Sequence, residues 1–463
     1  MKIKNNKHSG ILLHITSLPG EKYCGSFSKE AYKFVDFLSD SGFKYWQILP
    51  LTIISEPEYS PYSSVSLFGI NPLLISIGDE LRPCHDNQID YDKREDIVIS
   101  HILEKYKSFN INVKEYVNFK NSSKYWLENF ILHISEVSSF YKKLSKFAND
   151  ELIIFSQFLA FTQWMNLKNY ANSKGILIVG DIPIYCGLNS VEFKSEPQLF
   201  YIDEVGNADP VAGVPPDEFS ETGQLWGNPI YDWDYHCETN FRWWNRRINY
   251  NLELYDYLRI DHFRALYNFW AIPKGCSALE GKWCLSKGKD FLKTLKKEVL
   301  ARLIAEDLGA HDEGVEKLRV EFKIPGMSIL QFGPYHRNQH DPDFTEYDRW
   351  IYTGTHDNAT LRSWYDNLDF ISKLFLKDRK YHSNPYLNQI LRVFNSNAQT
   401  AIVPLQDLLY ENESTRMNTP GTTIGNWKYR LSDCNHKILV DFLKNINLNT
   451  NRFFFFEINP KKT

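Results

Sequence analysis

No apolar run in the 463-residue chain approaches the ~18 residues of a membrane-spanning helix, so no span is expected. There is no excess of positive charge either. Lys and Arg number 53 against 57 Asp and Glu, a net of −4, which leaves no basic field to draw in nucleic acid or an anionic membrane. The seven cysteines, Cys24, Cys84, Cys186, Cys237, Cys276, Cys284 and Cys434, include no C-x-x-C pair. An odd count at such spacing reads as reduced thiols in the cytoplasm, not as a zinc or redox site. The stretch MKIKNNKHSGILLHITSLPG has the lysines and the ILL of a signal peptide. His14 and Thr16 interrupt it and no small-residue cleavage site follows, so a cytoplasmic protein is expected. Internal repeats and low-complexity linkers are missing. What is present, 43% hydrophobic and 24% charged residues, excludes global disorder and suffices for a large core.

The informative pattern is a set of short aliphatic runs that stop at polar residues. In order they are Gly10–Ser17, Tyr45–Leu51, Gly175–Asp181, Tyr255–Asp261, Ala301–Glu306, Gly326–Phe332, Trp350–Thr355 and Ala401–Asp407. Runs of this kind read as strands buried on both faces, as a parallel sheet requires. Helical patterns lie between several of them. Phe27–Ser41 puts Ala31, Phe34, Val35 and Leu38 on one stripe with Ser28 as its N-cap; Glu151–Lys174 and Asp290–Leu300 precede the third and fifth runs. Eight strands alternating with helices predict a (β/α)8 TIM barrel. The alternative, an open doubly wound sheet, carries a glycine-rich phosphate turn after its first strand, and Ser17-Leu18-Pro19-Gly20 is no such turn.

Uneven spacing places the insertions. The expected organisation is one catalytic barrel over 1–463, with a largely helical subdomain inserted at 52–150, Lys/Glu-rich from Asp92 to Lys146. A Pro-, Gly- and Asn-rich loop region at 182–254 would lie over the barrel mouth.

Barrel enzymes carry their reactive groups where strands end. Here the third run ends at Asp181, the fourth at Asp261, the fifth at Glu306, and the seventh leads to His356-Asp357. Carboxylates gathered on one rim repel each other, so at least one pKa rises and leaves an acid beside an ionised partner. Arg259, two residues before Asp261, points the same way from its strand and is expected to hold Asp261 ionised. Each position also has an ordinary reading, since Asp at a strand end caps turns and Glu306-Asp307 could open a helix. A metal site using His262, His356 and the acids is a further option, but no H-x-x-x-H spacing supports it, so no metal and no cofactor is expected. Paired carboxylates without such a group point to glycosidic chemistry. Trp 12, Tyr 27 and Phe 31, 15% of the chain, agree with that, because rings offer apolar faces to sugars. Most of those rings must be core; Trp226, in the mouth loop, is the expected exception.

At these residues the sequence resembles the 4-α-glucanotransferases of the amylomaltase or disproportionating-enzyme type, glycoside hydrolase family 77 of the α-amylase superfamily. The resembling segments include LLHITSLPG, YWQILPL, SPY, GDIPIY, VAGVPPDEFSETGQLWGNPIYDW, LRIDHFRA, LIAEDLG, IPGMSILQF, YTGTHDN, PLQDLL, RMNTPG and GNWKYRL, in family order from Leu12 to Leu431. The resemblance implies Asp261 as nucleophile, Glu306 as general acid/base and Asp357 as the third acid, which stabilises the transition state. It implies sugar-binding roles for Arg259, His356, Asp181, Gln224, Trp226, Asn228, Ser60, Tyr62 and Asn418. It also implies malto-oligosaccharides and α-1,4-glucans as substrates.

The chain departs from the family pattern at Tyr59, Ser63, Ile70, Glu218, Ala265 and Ala359, near expected glucan-contact loops; no catalytic carboxylate is lost. A retaining α-glucan hydrolase and a non-catalytic glucan-binding protein therefore stay open beside the transferase. Oligomeric state is not legible from the sequence.

Overall fold

The computed structural model describes residues 7–54, 56–78, 88–147, 150–216, 221–309, 311–333, 338–376, 380–432 and 437–454. Glu218, Cys84, Cys434 and most of the FFFFEI segment lie outside the described residues.

Each of the eight apolar runs supplies one barrel strand. These are β1 (His8–Leu12), β2 (Tyr45–Gln47), β3 (Leu177–Ile182), β4 (Tyr257–Ile260), β5 (Leu303–Ala305), β6 (Gly326–Ile329), β7 (Arg349–Tyr352) and β8 (Thr400–Pro404). All pair in parallel and in chain order, and β1 closes on β8 with His8 opposite Thr400 and Leu12 opposite Pro404. The expected (β/α)8 barrel is thus the fold. Ile11, Ile178, Leu258, Ile304, Met327, Ile351 and Ile402 are fully buried, which accounts for the unbroken apolar runs. Toward the strand ends the interior turns polar: the Tyr352 hydroxyl donates to Gln47 Oε1 across the barrel at 2.9 Å. Gly180 permits a close approach, because a Cβ there would meet the Tyr255 ring at 2.1 Å.

The helix Lys29–Asp40 buries the anticipated Ala31, Phe34, Val35 and Leu38. Ser28 occupies its N-cap position, but its hydroxyl makes no cap bond. Between β2 and β3 stand the helices Tyr91–Lys107, Lys114–Val137, Ser139–Leu144 and Asp150–Ser173. Lys114–Val137 turns Tyr116, Phe119, Trp126, Phe130 and Ile134 inward at helical spacing. A hairpin of Thr52–Ile53 and Ser66–Ile70 precedes them and holds Ser60 and Tyr62 in its loop.

One element was not anticipated. Gln224–Pro229, Val211–Val214, Asn268–Ile272 and Lys282–Leu285 form a four-stranded antiparallel sheet, which joins the stretch before β4 to the stretch after it. Among the described residues no helix is long and apolar enough to cross a membrane.

Candidate active site

The ends of β3, β4 and β5 are stitched together by backbone hydrogen bonds. Asp261 N–H donates to Ile182 O at 3.0 Å, Glu306 N–H to Ile260 O at 3.1 Å, and Phe263 N–H to Glu306 O at 3.0 Å. His262 reverses the chain between Asp261 and the short helix Phe263–Leu266 in a left-handed conformation, φ 47°. A non-glycine residue adopts that region at a cost, and such strain gathers at functional sites. The turn aims the His262 N–H at Glu306 Oε2, 2.6 Å away, while Leu308 N–H donates to Oε1 at 3.1 Å. Two amides therefore fix the Glu306 carboxyl.

Arg259 lies below this rim, 3% exposed. Its Nη1 donates to both Asp181 oxygens, at 2.9 and 2.7 Å, and pairs with Asp261 Oδ1 at 2.9 Å. The Tyr62 hydroxyl gives Asp181 a further hydrogen bond at 2.7 Å. The guanidinium does pair with Asp261, as expected, but it is shared with Asp181, so only part of its charge serves the candidate nucleophile. Burial pushes the Asp261 carboxyl above the ordinary carboxylate range; Arg259 and His356 oppose this, and Asp181 and Asp357 add to it. Glu306 is also raised, by burial first and by Asp261, against Arg259 and the two amides. The two acids titrate as a pair, with the proton favoured on Glu306, which lacks a direct arginine contact.

The third acid has the opposite setting. Asp357 loses solvation, but His356 Nε2 at 3.1 Å and the Asn418 Nδ2–H donor at 2.6 Å outweigh that and hold its carboxyl below the usual range. The His356 ring stacks on Tyr62, centroids 4.9 Å apart at 13°. Tyr62 thus braces Asp181 with its hydroxyl and the His356–Asp357 corner with its ring. Arg416 went unnoticed in the sequence although it opens the RMNTPG segment. Its Nη2 donates to Asp357 O at 2.6 Å, and Nε donates to Asn418 O at 2.8 Å.

Gln224, Trp226 and Asn228 sit on the strand Gln224–Pro229. The Trp226 ring meets His262 edge-on, centroids 4.9 Å apart, while 38% of the residue stays exposed and its indole N–H donates to Gln224 Oε1 at 3.2 Å. Asn228 donates instead to Cys186 O at 2.7 Å, so its amide N–H anchors the strand. Ser60 Oγ accepts from Tyr62 N–H at 3.2 Å and shapes that turn. Among the described residues no three His, Cys, Asp or Glu side chains group as metal ligands.

Residues 13–135 and 135–436 match the glycoside hydrolase family 77 model, described as 4-alpha-glucanotransferase. The chain belongs to this family. The 4-alpha-glucanotransferase of Aquifex aeolicus is 37% identical, covering 92% of this chain and 95% of its own. The chloroplastic/amyloplastic 4-alpha-glucanotransferase of Arabidopsis thaliana is 36% identical over 92% of this chain and 82% of its own. A solved amylomaltase from Streptococcus agalactiae, in complex with acarbose, superposes with a TM-score of 0.86 at 33% identity, covering 96% of this chain and all of that one. As a member of the 4-α-glucanotransferases the protein is a glycosyl-transferring enzyme, and the hydrolase and non-catalytic readings are not favoured.

The departures from the 4-α-glucanotransferase pattern take up structural contacts. The Tyr59 ring stacks on Tyr91, centroids 4.6 Å apart, and its hydroxyl donates to Asp92. Ile70 is buried, its N–H and C=O both bound by the Gln157 amide at 2.8 Å. Ala265 is buried behind the His262 turn, and Ala359 O accepts from Gln331. Nothing in the structure explains Ser63.

Proposed function

We propose that this 4-α-glucanotransferase moves an α-1,4-glucan segment from a donor to the 4-hydroxyl of an acceptor glucan or glucose by a retaining double displacement. Glu306 protonates the glycosidic oxygen while an Asp261 oxygen attacks the anomeric carbon, so the bond to the departing 4-hydroxyl breaks as the ester to Asp261 forms. The acceptor 4-hydroxyl then gives its proton to Glu306 as its oxygen attacks the same carbon, and Asp261 leaves as a carboxylate. The carboxyls of such a pair stand ~5–5.5 Å apart. Asp357, ionised, binds sugar hydroxyls and stabilises positive charge on the ring; Asp181, Arg259, His356, Tyr62 and Asn418 set the geometry of these acids. Gln224, Trp226, Asn228 and Ser60 border the sugar path.

The observation that carries this reading is the asymmetry of the acid pair. Asp261 rests on the shared Arg259 guanidinium and Glu306 on two amides, so one group is poised as a nucleophile and the other as a proton donor. Malto-oligosaccharides and longer α-1,4-glucans are the substrates, in line with the acarbose complex of the S. agalactiae amylomaltase. The helices after 52 and the strands within 182–254 serve as insertions that build the walls of one catalytic domain, and the cytoplasm is the compartment this role calls for.

Incubation with maltotriose, with products resolved by chain length, tests the reading. Glucose together with maltopentaose and longer chains is expected. Glucose and maltose alone would mean that water, not glucan, resolves the intermediate. Asp261→Asn should lose at least ~10³-fold in turnover while keeping its fold, since the covalent step has no other nucleophile.

A further inference from the structure

Away from the barrel mouth a groove of about 630 Å³ runs along the outer wall, between the helices Lys114–Val137 and Arg242–Leu254. That size falls within the ~300–1,000 Å³ of small-ligand sites. Its lining includes Tyr125, Asn240, Arg242, Arg246, Asn249 and Glu253. Tyr125 is 39% exposed, and its ring is held by the edge of Phe68, centroids 5.8 Å apart, with the Arg246 guanidinium 5.8 Å from the ring centre.

The polar groups here are largely unspent. Among the described residues Arg242, Arg246 and Glu253 make no salt bridge, and Asn249 uses only its Nδ2–H, on Asn245 O, which leaves its carbonyl free. The lining carries Arg242 and Arg246 against Glu253, and Glu196 lies within the field of Arg246, so the groove holds little net charge. A rigid ring beside amide, guanidinium and carboxylate groups, with little net charge, suits an uncharged polyol. The exposed part of the ring offers an apolar contact to C–H groups beside the guanidinium, and the planar polar groups bind pairs of vicinal hydroxyls. A phosphate or a nucleotide would demand net positive charge. The helix Arg242–Leu254 leads back to the start of β4, so its first turn lies on the side of the barrel where the strands end.

We propose that this groove is a second saccharide site, which holds a segment of a long α-1,4-glucan outside the cleft. The substrate class rests on the functional reading above; the groove itself does not. A glucan anchored there presents its other segments to the mouth at raised effective concentration, which benefits polymers and leaves short oligosaccharides unaffected.

Native electrophoresis of the full chain through gels containing glycogen tests the proposal, alongside maltotriose disproportionation. The Tyr125→Ala/Asn249→Ala double variant should show an apparent dissociation constant for glycogen raised about 10-fold, with maltotriose turnover unchanged. Arg246→Ala, a milder surface change, should shift the same constant in the same direction. Unchanged retardation in both variants overturns the proposal, and so does an equal loss of maltotriose turnover, which marks a structural role. A wild-type chain inactive on maltotriose, yet retarded through groove residues, would refute the transferase reading and leave the second site standing.

Discussion

One nitrogen of Arg259 serves three carboxylate oxygens, and the titration of the site turns on that economy. Asp261 must be ionised to attack and Glu306 protonated to donate. Activity therefore falls as pH drops through the raised Asp261 pKa, and falls again as pH climbs through the raised Glu306 pKa. Both limbs of the kcat/KM profile should lie above the ~4 of free carboxyls. Arg259→Met removes the counter-charge, so the acid limb should move up further, and the chain should lose about 3–5 kcal/mol to urea because Asp181 stays buried and unpaired. An acid limb left in place by that variant would show that Asp261 does not set it. Asp181, Asp261, Glu306 and Asp357 were legible because strand ends in a barrel converge whatever the sequence between them. Sharing of the arginine was not, since Arg259 lies two residues from Asp261 but 78 from Asp181. The Tyr62–His356 stack, 294 residues apart in the chain, was hidden for the same reason.

Among the elements, the strands that lie in the barrel wall could be read directly and those that lie over its mouth could not. A wall strand is buried on both faces and writes itself as an unbroken aliphatic run. Val211–Val214 and Gln224–Pro229 are short, interrupted by glycine or ended by proline, and partly exposed, so they read as a loop. Val211–Val214 pairs on its other edge with Asn268–Ile272, from beyond β4, and pairing of that kind leaves no local pattern. This sheet gives Trp226 a fixed backbone, and the His262 edge fixes its ring. Trp226→Ala should therefore raise the share of hydrolysis products from maltotriose several-fold, because an ordered ring over the intermediate favours glucan over water. Thermal stability should fall by about 2–3 kcal/mol, since more than half of the residue is buried. An unaltered product distribution would remove Trp226 from the sugar path.

For the molecule as a whole, the two ends of the described chain are fastened together. Arg452, buried after the helix Lys437–Asn449, donates to Phe394 O at 2.6 Å, Ala398 O at 2.9 Å and His8 O at 2.8 Å. Replacing it with Met strands those carbonyls, and the urea midpoint should fall by the equivalent of about 3 kcal/mol or more, with kcat at low temperature unchanged. A variant as stable as the parent would reduce the clasp to a packing contact. The register of β1 on β8 reaches further still. His8 finds its partner only at Thr400, so the first strand leaves the ribosome with one edge open and keeps it open through most of synthesis. Closure is the last pairing the barrel strands can make. Until then that bare edge is a place where chaperones, or another nascent copy, compete with the chain's own final strand.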